Sequence, residues 1–275
     1  MSENTIVDVW AQITSERMQA APWLATLNRW TDPESTRPLP TAESTVAAMD
    51  DAGVAISLLA AWHGPEGPLM TNAEVAKHLE AYPDRFRGLA CADLHRPMEA
   101  VRELRDYVDG NSFVGVRVVP WLWDLPPNDR RYYPIYAACV DLGVPFCLQI
   151  GHTGPLMRSE TGRPIPYLED VLLDFPELKI VGGHVGFPWI DELISLTIKF
   201  PNFFVDTSAY AVHRLPESFV KYMKGLGSER VMFGTNWPML SPQQCLRQLD
   251  RLGLSQQQED AFLFENARRV FNLGV

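Results

Sequence analysis

Short apolar runs alternate with helical patterns along the whole chain, and this alternation limits the folds that the chain can adopt. The strand candidates are Ile6–Trp10, Val54–Ala60, Phe86–Ala92, Phe113–Val118, Pro145–Ile150, Lys179–Gly183, Phe203–Thr207 and Arg230–Gly234. Eight strands joined by helices close a barrel, and such a barrel takes about 250 residues. We therefore predict an α/β fold, a single (β/α)8 TIM barrel over residues 1–275.

Helices are predicted between the strands because apolar residues recur at helical spacing and the ends have suitable capping residues. The predicted helices are Thr41–Ala52, Thr71–Tyr82, Pro97–Val108, Tyr133–Leu142, Ile165–Asp174, Trp189–Lys199, Pro216–Lys224 and Pro242–Leu252. A further helix near Gln256–Val270 gives the barrel a C-terminal extra helix.

Charge and composition exclude several classes of partner. The net charge of −10 leaves no basic stripe for nucleic acid. No stretch approaches 18 apolar residues, and the N-terminus lacks a basic and an apolar signal region, so we expect no membrane span and a cytoplasmic protein. The four cysteines are far apart in sequence, which indicates buried thiols rather than a zinc or redox motif.

Chemistry in such a barrel lies at the carboxyl ends of the strands. The residues that follow the strands are Trp10, Gln12, Trp62, His63, Asp93, His95, Arg117, Gln149, His152, His184, Asp206, Asn236 and Trp237. Four of the six histidines of the chain are in this set, which favours a functional site there over a random distribution.

Several motifs, in order, resemble those of the amidohydrolase superfamily, in the branch that contains aminocarboxymuconate-semialdehyde decarboxylase and 2-pyrone-4,6-dicarboxylate lactonase. The motifs are Gly115-Val116-Arg117, Gly143-Val144-Pro145, Leu178 to Gly186, Phe233 to Pro238, and Glu265 to Phe271. The resemblance covers nearly the whole chain. It implies a TIM-barrel enzyme that acts on a small molecule, and a homodimer, since barrels of this branch are commonly dimers.

The metal ligands that the resemblance implies are mostly replaced. Trp10 and Gln12 stand where members have His-x-His, Gln149 replaces a histidine, and Asn236 replaces an aspartate. Only His184 is kept. Indole and carboxamide groups are poor zinc ligands, so we expect no cofactor and no metal site. The alternatives are a zinc ion bound weakly through His184, or a new site formed by three histidines of different strand ends.

Four residues are candidates for catalysis. His184 is the first, because an imidazole titrates near neutral pH and a Gly-Gly-His-Val-Gly segment leaves backbone room for a ligand. His152 lies on a glycine-bounded loop, where an exposed histidine without function is as good an interpretation. Arg117 is a candidate to bind a substrate carboxylate or an oxyanion, or else it forms a structural ion pair. Asp206 is expected to orient His184 or to act as a base, unless it is a buried partner of another group.

Tryptophans concentrate at the strand ends, which predicts a pocket for a flat substrate. The predicted substrate-binding residues are Trp10, Gln12, Trp62, His63, Trp121, Trp123, Gln149, Asn236 and Trp237. The alternative is that some of these rings, Trp10 above all, only fill the upper layer of the barrel.

Three functions follow from these features. The first is a metal-independent amidohydrolase-related hydrolase of a small cyclic ester, a lactone or a metabolite derived from an aromatic ring. The second is a metal-dependent lyase, either a non-oxidative decarboxylase or a hydratase. The third is a catalytically silent barrel that only binds a ligand.

Overall fold

A computed structural model describes residues 6–31 and 38–274. Eight strands form one parallel sheet, in the order in which they occur in the chain. They are β1 (Ile6–Ala11), β2 (Val54–Ala60), β5 (Phe86–Ala90), β6 (Phe113–Val118), β7 (Phe146–Gln149), β8 (Ile180–Gly183), β9 (Phe203–Asp206) and β10 (Val231–Met232). Between β2 and β5 lies a separate antiparallel hairpin of β3 (Trp62–Gly64) and β4 (Gly67–Met70).

Hydrogen bonds between the first and last strands close the sheet into a barrel. The Val9 N–H donates to the Phe233 carbonyl at 3.0 Å, and the Asn236 N–H donates to the Trp10 carbonyl at 2.8 Å. The buried carboxylate of Asp8 accepts from the main-chain N–H of Thr235 at 2.9 Å and from its hydroxyl at 2.5 Å. The predicted TIM barrel is therefore confirmed.

Helices surround this sheet. They are α1 (Glu16–Gln19), α2 (Pro22–Thr31), α3 (Ala42–Asp50), α4 (Asn72–Ala81), α5 (Pro97–Tyr107), α6 (Pro120–Trp123), α7 (Tyr133–Leu142), α8 (Glu169–Asp174), α9 (Ile190–Lys199), α10 (Glu217–Met223), α11 (Pro242–Leu246), α12 (Gln256–Asp260) and α13 (Asn266–Val270). Helices α3 and α4 begin with capping boxes at Thr41 and Thr71, and Gly143 ends α7 at φ 69°, a value that glycine adopts without strain. The predicted C-terminal helix is α12 and α13 joined by a π-helical turn at Ala261–Glu265.

The structure differs from the predicted elements in three respects. The helix predicted over Pro242–Leu252 ends at Leu246, and a separate 3-10 helix covers Leu249–Leu252. The last strand is much shorter than Arg230–Gly234, since Phe233 and Gly234 follow it without strand geometry. The hairpin and the helices α1, α2 and α6 were not predicted, because they lie inside βα connections where no long periodic pattern marks them. The unpredicted α1, α2 and hairpin form one side of the barrel mouth, so they bear directly on the site.

The core is continuous from the inside of the barrel to the helices. The four cysteines are buried free thiols, as predicted, and burial raises the pKa values of all four. None of the helices in the described ranges is long and apolar enough to cross a bilayer. The assignment of residues 1–275 to one domain remains a prediction.

Candidate functional site at the barrel mouth

A cavity of about 850 Å³ opens at the carboxyl ends of the strands. Its inner wall consists of Gln12, Trp62, Trp121, Gln149, His184 and Asn236, and its outer wall of residues from α1, α2 and the segment after β10. Cavities of this size with largely aromatic and apolar walls bind small organic molecules.

Eight of the thirteen predicted site residues line this cavity. They are His184, His152, Gln12, Trp62, Trp121, Gln149, Asn236 and Trp237. Arg117, Asp206 and Trp10 lie behind this wall and are buried. His63 and Trp123 stack on each other, with ring centroids 5.7 Å apart, outside the cavity lining. The strand ends thus supply both the wall and the layer that supports it.

His184 has a defined hydrogen-bond partner that was not predicted. Its Nδ1 lies 2.6 Å from the hydroxyl of the buried Ser208, and this hydroxyl donates to the carboxylate of Asp206. The main-chain N–H of Ser208 donates to the same carboxylate oxygen at 2.9 Å. A chain of hydrogen bonds therefore runs from Asp206 through Ser208 to His184. The sequence signal was the spacing of Ser208, two residues after Asp206 at a strand end.

Burial and the cation of Arg117 set the protonation of this cluster. Burial, followed by the nearby charge of Arg117, lowers the pKa of His184 to about 3. Burial raises the pKa of Asp206 to about 6, although hydrogen bonds from Ser208 act in the opposite direction. His184 is therefore neutral at pH 7, and a neutral imidazole has one nitrogen that can accept a proton.

His184 also has an uncommon backbone conformation, with φ at 72°, and Val185 follows at φ 62°. Positive φ values cost free energy for residues other than glycine and concentrate at functional sites. The hydrogen bond between its Nδ1 and the hydroxyl of Ser208 helps to hold the residue in this position.

Arg117 does not reach the cavity. Its Nη2 donates to Oε1 of Gln12 at 3.0 Å, and its guanidinium lies 4.3 Å from the ring centroid of Trp10 and 5.3 Å from that of Trp62. Burial lowers the pKa of Arg117 to about 9, so the group remains a cation at neutral pH. In this geometry Arg117 positions Gln12 and supplies positive charge. The sequence left a structural ion pair of Arg117 as an alternative, but none of the ion pairs among the described residues includes Arg117.

The carboxamides of the mouth are engaged with the protein. Nε2 of Gln12 donates to Oδ1 of Asn236 at 3.0 Å and to the carbonyl of Trp237 at 2.5 Å. Oε1 of Gln149 accepts from the indole N–H of Trp121 at 2.5 Å, and its Nε2 donates to the carbonyl of His152 at 2.9 Å. Asn236 adopts φ 64°, a conformation that asparagine tolerates better than most residues. These amides therefore fix the shape of the wall.

The expectation that Gly183 leaves room for a ligand is wrong. A Cβ atom at Gly183 would lie 2.5 Å from Cζ3 of Trp10, so the ring of Trp10 occupies that space. The same ring lies against His184, with centroids 4.9 Å apart. Trp10 therefore fills the upper layer of the barrel and supports His184 from the side.

Trp23 of α2 is a wall residue that sequence reasoning missed. Its ring stacks on that of Trp62, with centroids 6.0 Å apart, and meets that of Trp121 edge-on at 5.1 Å. No periodic signal connects α2 with the strand ends. The aromatic wall thus depends on a helix that the tertiary structure brings over the mouth.

Metal donors are few in this mouth. Trp10, Gln12, Gln149 and Asn236 stand where the resemblance implies ligands, and their side chains pack on or bond to other residues. Within residues 6–31 and 38–274, no three His, Cys, Asp or Glu side chains lie together so that they could hold a metal ion. The donor set present does not fit a metal site.

Comparison with known proteins gives the family. Residues 8–273 match the family described as Amidohydrolase. The chain is 28% identical over 254 residues to the gamma-resorcylate decarboxylase of Rhodococcus jostii, covering 74% of this chain and 75% of that protein. An uncharacterised TIM-barrel protein of Bordetella bronchiseptica has 25% identity and a TM-score of 0.83, with 98% of each chain covered.

A third similarity corrects the prediction about cofactors. The dihydroxybenzoic acid decarboxylase of Polaromonas sp. has the same fold, with a TM-score of 0.76, 18% identity, and 99% of this chain and 98% of that chain covered. It was crystallised with bound manganese and the inhibitor 2-nitroresorcinol. The expectation of no cofactor, with weak zinc binding through His184 as its alternative, is therefore wrong for this group of enzymes. That protein holds manganese, whereas the described residues of this chain contain no group of three His, Cys, Asp or Glu side chains that could hold a metal ion.

The similarities also show which of the predicted functions has more support. The relatives are mainly decarboxylases, so they favour the lyase alternative over the hydrolase that the sequence placed first. They are enzymes of small molecules, in agreement with the predicted substrate class. The homodimer, the cytoplasmic location and the roles of the site residues remain predictions.

Proposed function

Because the chain belongs to the amidohydrolase family, we propose that it is a lyase, a non-oxidative decarboxylase of a small aromatic or ring-derived carboxylic acid. The observation that carries this proposal is the setting of His184. Its Nδ1 is bound by Ser208, while the residue lines a cavity with indole walls. A group that transfers protons thus borders a space suited to a flat ring.

The similarity to gamma-resorcylate decarboxylase, over three quarters of each protein, supports a substrate with a hydroxyl group next to the carboxyl group. In this proposal, Nε2 of His184 accepts the proton of that hydroxyl and returns it to the ring carbon that bears the carboxylate. The bond from this carbon to the carboxylate then breaks, its electron pair returns to the ring, and carbon dioxide leaves. Solvent supplies one proton to the phenolate, so that one proton is consumed for each carbon dioxide released.

The indoles have a separate role in this proposal. Trp62, Trp121 and Trp237 provide flat apolar walls that align a ring and exclude water. Trp121 and Gln149 hold each other through a hydrogen bond, so this part of the wall keeps its shape when a ligand enters. Rigid walls of this kind reduce the entropy that is lost on binding.

The test is a turnover assay of the purified protein with 2,6-dihydroxybenzoate and related hydroxybenzoates, beside a panel of lactones. Carbon dioxide and the phenol product are measured with and without added Mn²⁺, because the Polaromonas protein holds manganese. We expect release of carbon dioxide from at least one hydroxybenzoate. Hydrolysis of a lactone without any decarboxylation would contradict the proposal, and tight binding without turnover would favour a silent barrel.

The variant His184→Asn tests the role of the imidazole. Asparagine tolerates the positive φ at this position, so the backbone is kept while the base is removed. We expect kcat to fall by about 10²- to 10⁴-fold, the range for loss of a general acid or base. The matched control is His213→Asn, which changes an exposed histidine outside the cavity lining and leaves kcat unchanged.

A further inference from the structure

We propose that Ser208 is a positioning residue that fixes the proton of His184 on Nδ1 and leaves Nε2 as the basic nitrogen. This inference goes beyond the proposed function, because it concerns the state of His184 in the free protein. Only the expected effect of Ser208 on kcat rests on the proposed function. Ser208 is fully buried and does not line the cavity, so it acts through His184 and not on a ligand.

The carboxylate of Asp206 determines the direction of two hydrogen bonds, the one between Asp206 and the Ser208 hydroxyl and the one between that hydroxyl and His184. Oδ1 of Asp206 accepts from the main-chain N–H of Ser208 at 2.9 Å, so this oxygen bears no proton of its own toward Ser208. It also receives the Ser208 hydroxyl proton. A hydroxyl has one proton to donate. Its oxygen therefore presents a lone pair to His184.

Nδ1 of His184 lies 2.6 Å from this oxygen and must supply the proton between them. In a neutral imidazole the other nitrogen is then an acceptor. The tautomer does not depend on the protonation of Asp206, because a proton on that carboxyl group would sit on Oδ2, which has no hydrogen-bond partner in the described structure. The arrangement thus holds on both sides of the pKa of Asp206.

The chain offers matched variants for this inference. Ser208→Ala removes the acceptor of the Nδ1 proton. Asp206→Asn keeps an acceptor oxygen for both donors of Ser208, so it preserves the direction of the hydrogen bonds. Thr207→Val is the control, since Thr207 lies between the two residues and its hydroxyl has no hydrogen-bond partner in the described structure.

The experiment is nitrogen-15 NMR of the imidazole groups in the intact protein at pH 7. In the unaltered protein and in Thr207→Val and Asp206→Asn we expect a protonated Nδ1 and an unprotonated Nε2. In Ser208→Ala we expect the Nδ1 signal to move toward the unprotonated type, and kcat of an identified substrate to fall. A protonated Nε2 in the unaltered protein, or no change in Ser208→Ala, would overturn the inference.

The unaltered protein tests the inference by itself if Ser208→Ala does not fold. The NMR signals do not require a substrate, so failure of the proposed decarboxylation leaves this result readable. Conversely, decarboxylation with the proton on Nε2 of His184 would support the proposed reaction but refute both the role of Ser208 and the role of Nε2 as the proton acceptor.

Discussion

The guanidinium carbon of Arg117 lies 4.3 Å from the centre of the Trp10 ring, on the face of the indole. Trp10 in turn lies against His184 with the two rings tilted by 56°, so the cation, the indole and the imidazole are in contact one after another up to the cavity wall. A buried cation beside an aromatic face is stabilised by the charge distribution of the ring. These contacts bring the positive charge of Arg117 close enough to His184 to lower its pKa.

Arg117→Met should raise the pKa of His184. The positive charge of Arg117 is the second cause of the low value, after burial. Because burial remains in the variant, we expect the pKa to rise but to stay below the ordinary 6.5. The measurement is an NMR titration of His184 between pH 3 and pH 7. Arg131→Met removes a cation that pairs with Asp129 at the surface, and it should leave the titration unchanged.

Gly183→Ala should destabilise the protein. The added methyl group would lie 2.5 Å from the ring of Trp10, which is held by Arg117 and His184. Overpacking of a tight core costs about 1–3 kcal/mol of unfolding free energy. Urea unfolding measures this difference. Gly225→Ala is the matched control, since its Cβ would come no closer than 3.6 Å to another atom, and equal losses in the two variants would contradict the packing of Trp10.

Asp8→Asn should change the pH dependence of stability. Burial raises the pKa of Asp8 from 3.8 to about 7 in the folded protein. The folded chain therefore keeps a proton that the unfolded chain releases near pH 4. The contribution of Asp8 to the unfolding free energy is complete below about pH 4 and is lost as the pH rises to about 7.

The measurement compares the unfolding free energies of the unaltered protein and Asp8→Asn from pH 4 to pH 7. We expect the unaltered protein to lose stability relative to the variant across this window. Asp129→Asn provides a flat control, because a hydrogen bond from Arg131 lowers the pKa of Asp129 and its contribution to stability therefore changes only below about pH 4. Parallel curves for the unaltered protein and Asp8→Asn would show that Asp8 is ionised in the folded state.

Trp237→Leu should weaken binding of an aromatic acid. Trp237 lines the cavity and its indole N–H donates to the hydroxyl of Thr45 at 3.1 Å, which fixes the ring. Loss of an aromatic contact of about 0.5–1.5 kcal/mol corresponds to an increase in Kd of about 2- to 10-fold. Calorimetry with 2,6-dihydroxybenzoate measures the change. Trp189→Leu, a half-buried tryptophan outside the cavity lining, should leave Kd unaffected.

The sequence by itself determined the barrel and the position of the mouth. Alternating apolar runs and helix caps specify local elements, and eight parallel strands have few ways to close. Because functional residues of such a barrel follow the carboxyl ends of its strands, His184, Gln149 and Asn236 were predicted at one end of the barrel, where the structure has them. Long, periodic segments such as Tyr133–Leu142 were predicted to the residue.

Only the tertiary structure decided which of these residues meet a ligand. Arg117 and Gln149 both lie near the carboxyl end of a strand, yet Arg117 is buried behind Gln12 and Gln149 lines the cavity. Ser208 had only its position after Asp206 as a signal and Trp23 had none, because their roles arise from contacts with residues 24 and 39 positions away in the chain, His184 and Trp62. Side-chain contacts between different strand ends depend on register, packing and hydrogen-bond direction, and a pattern along one strand carries none of these.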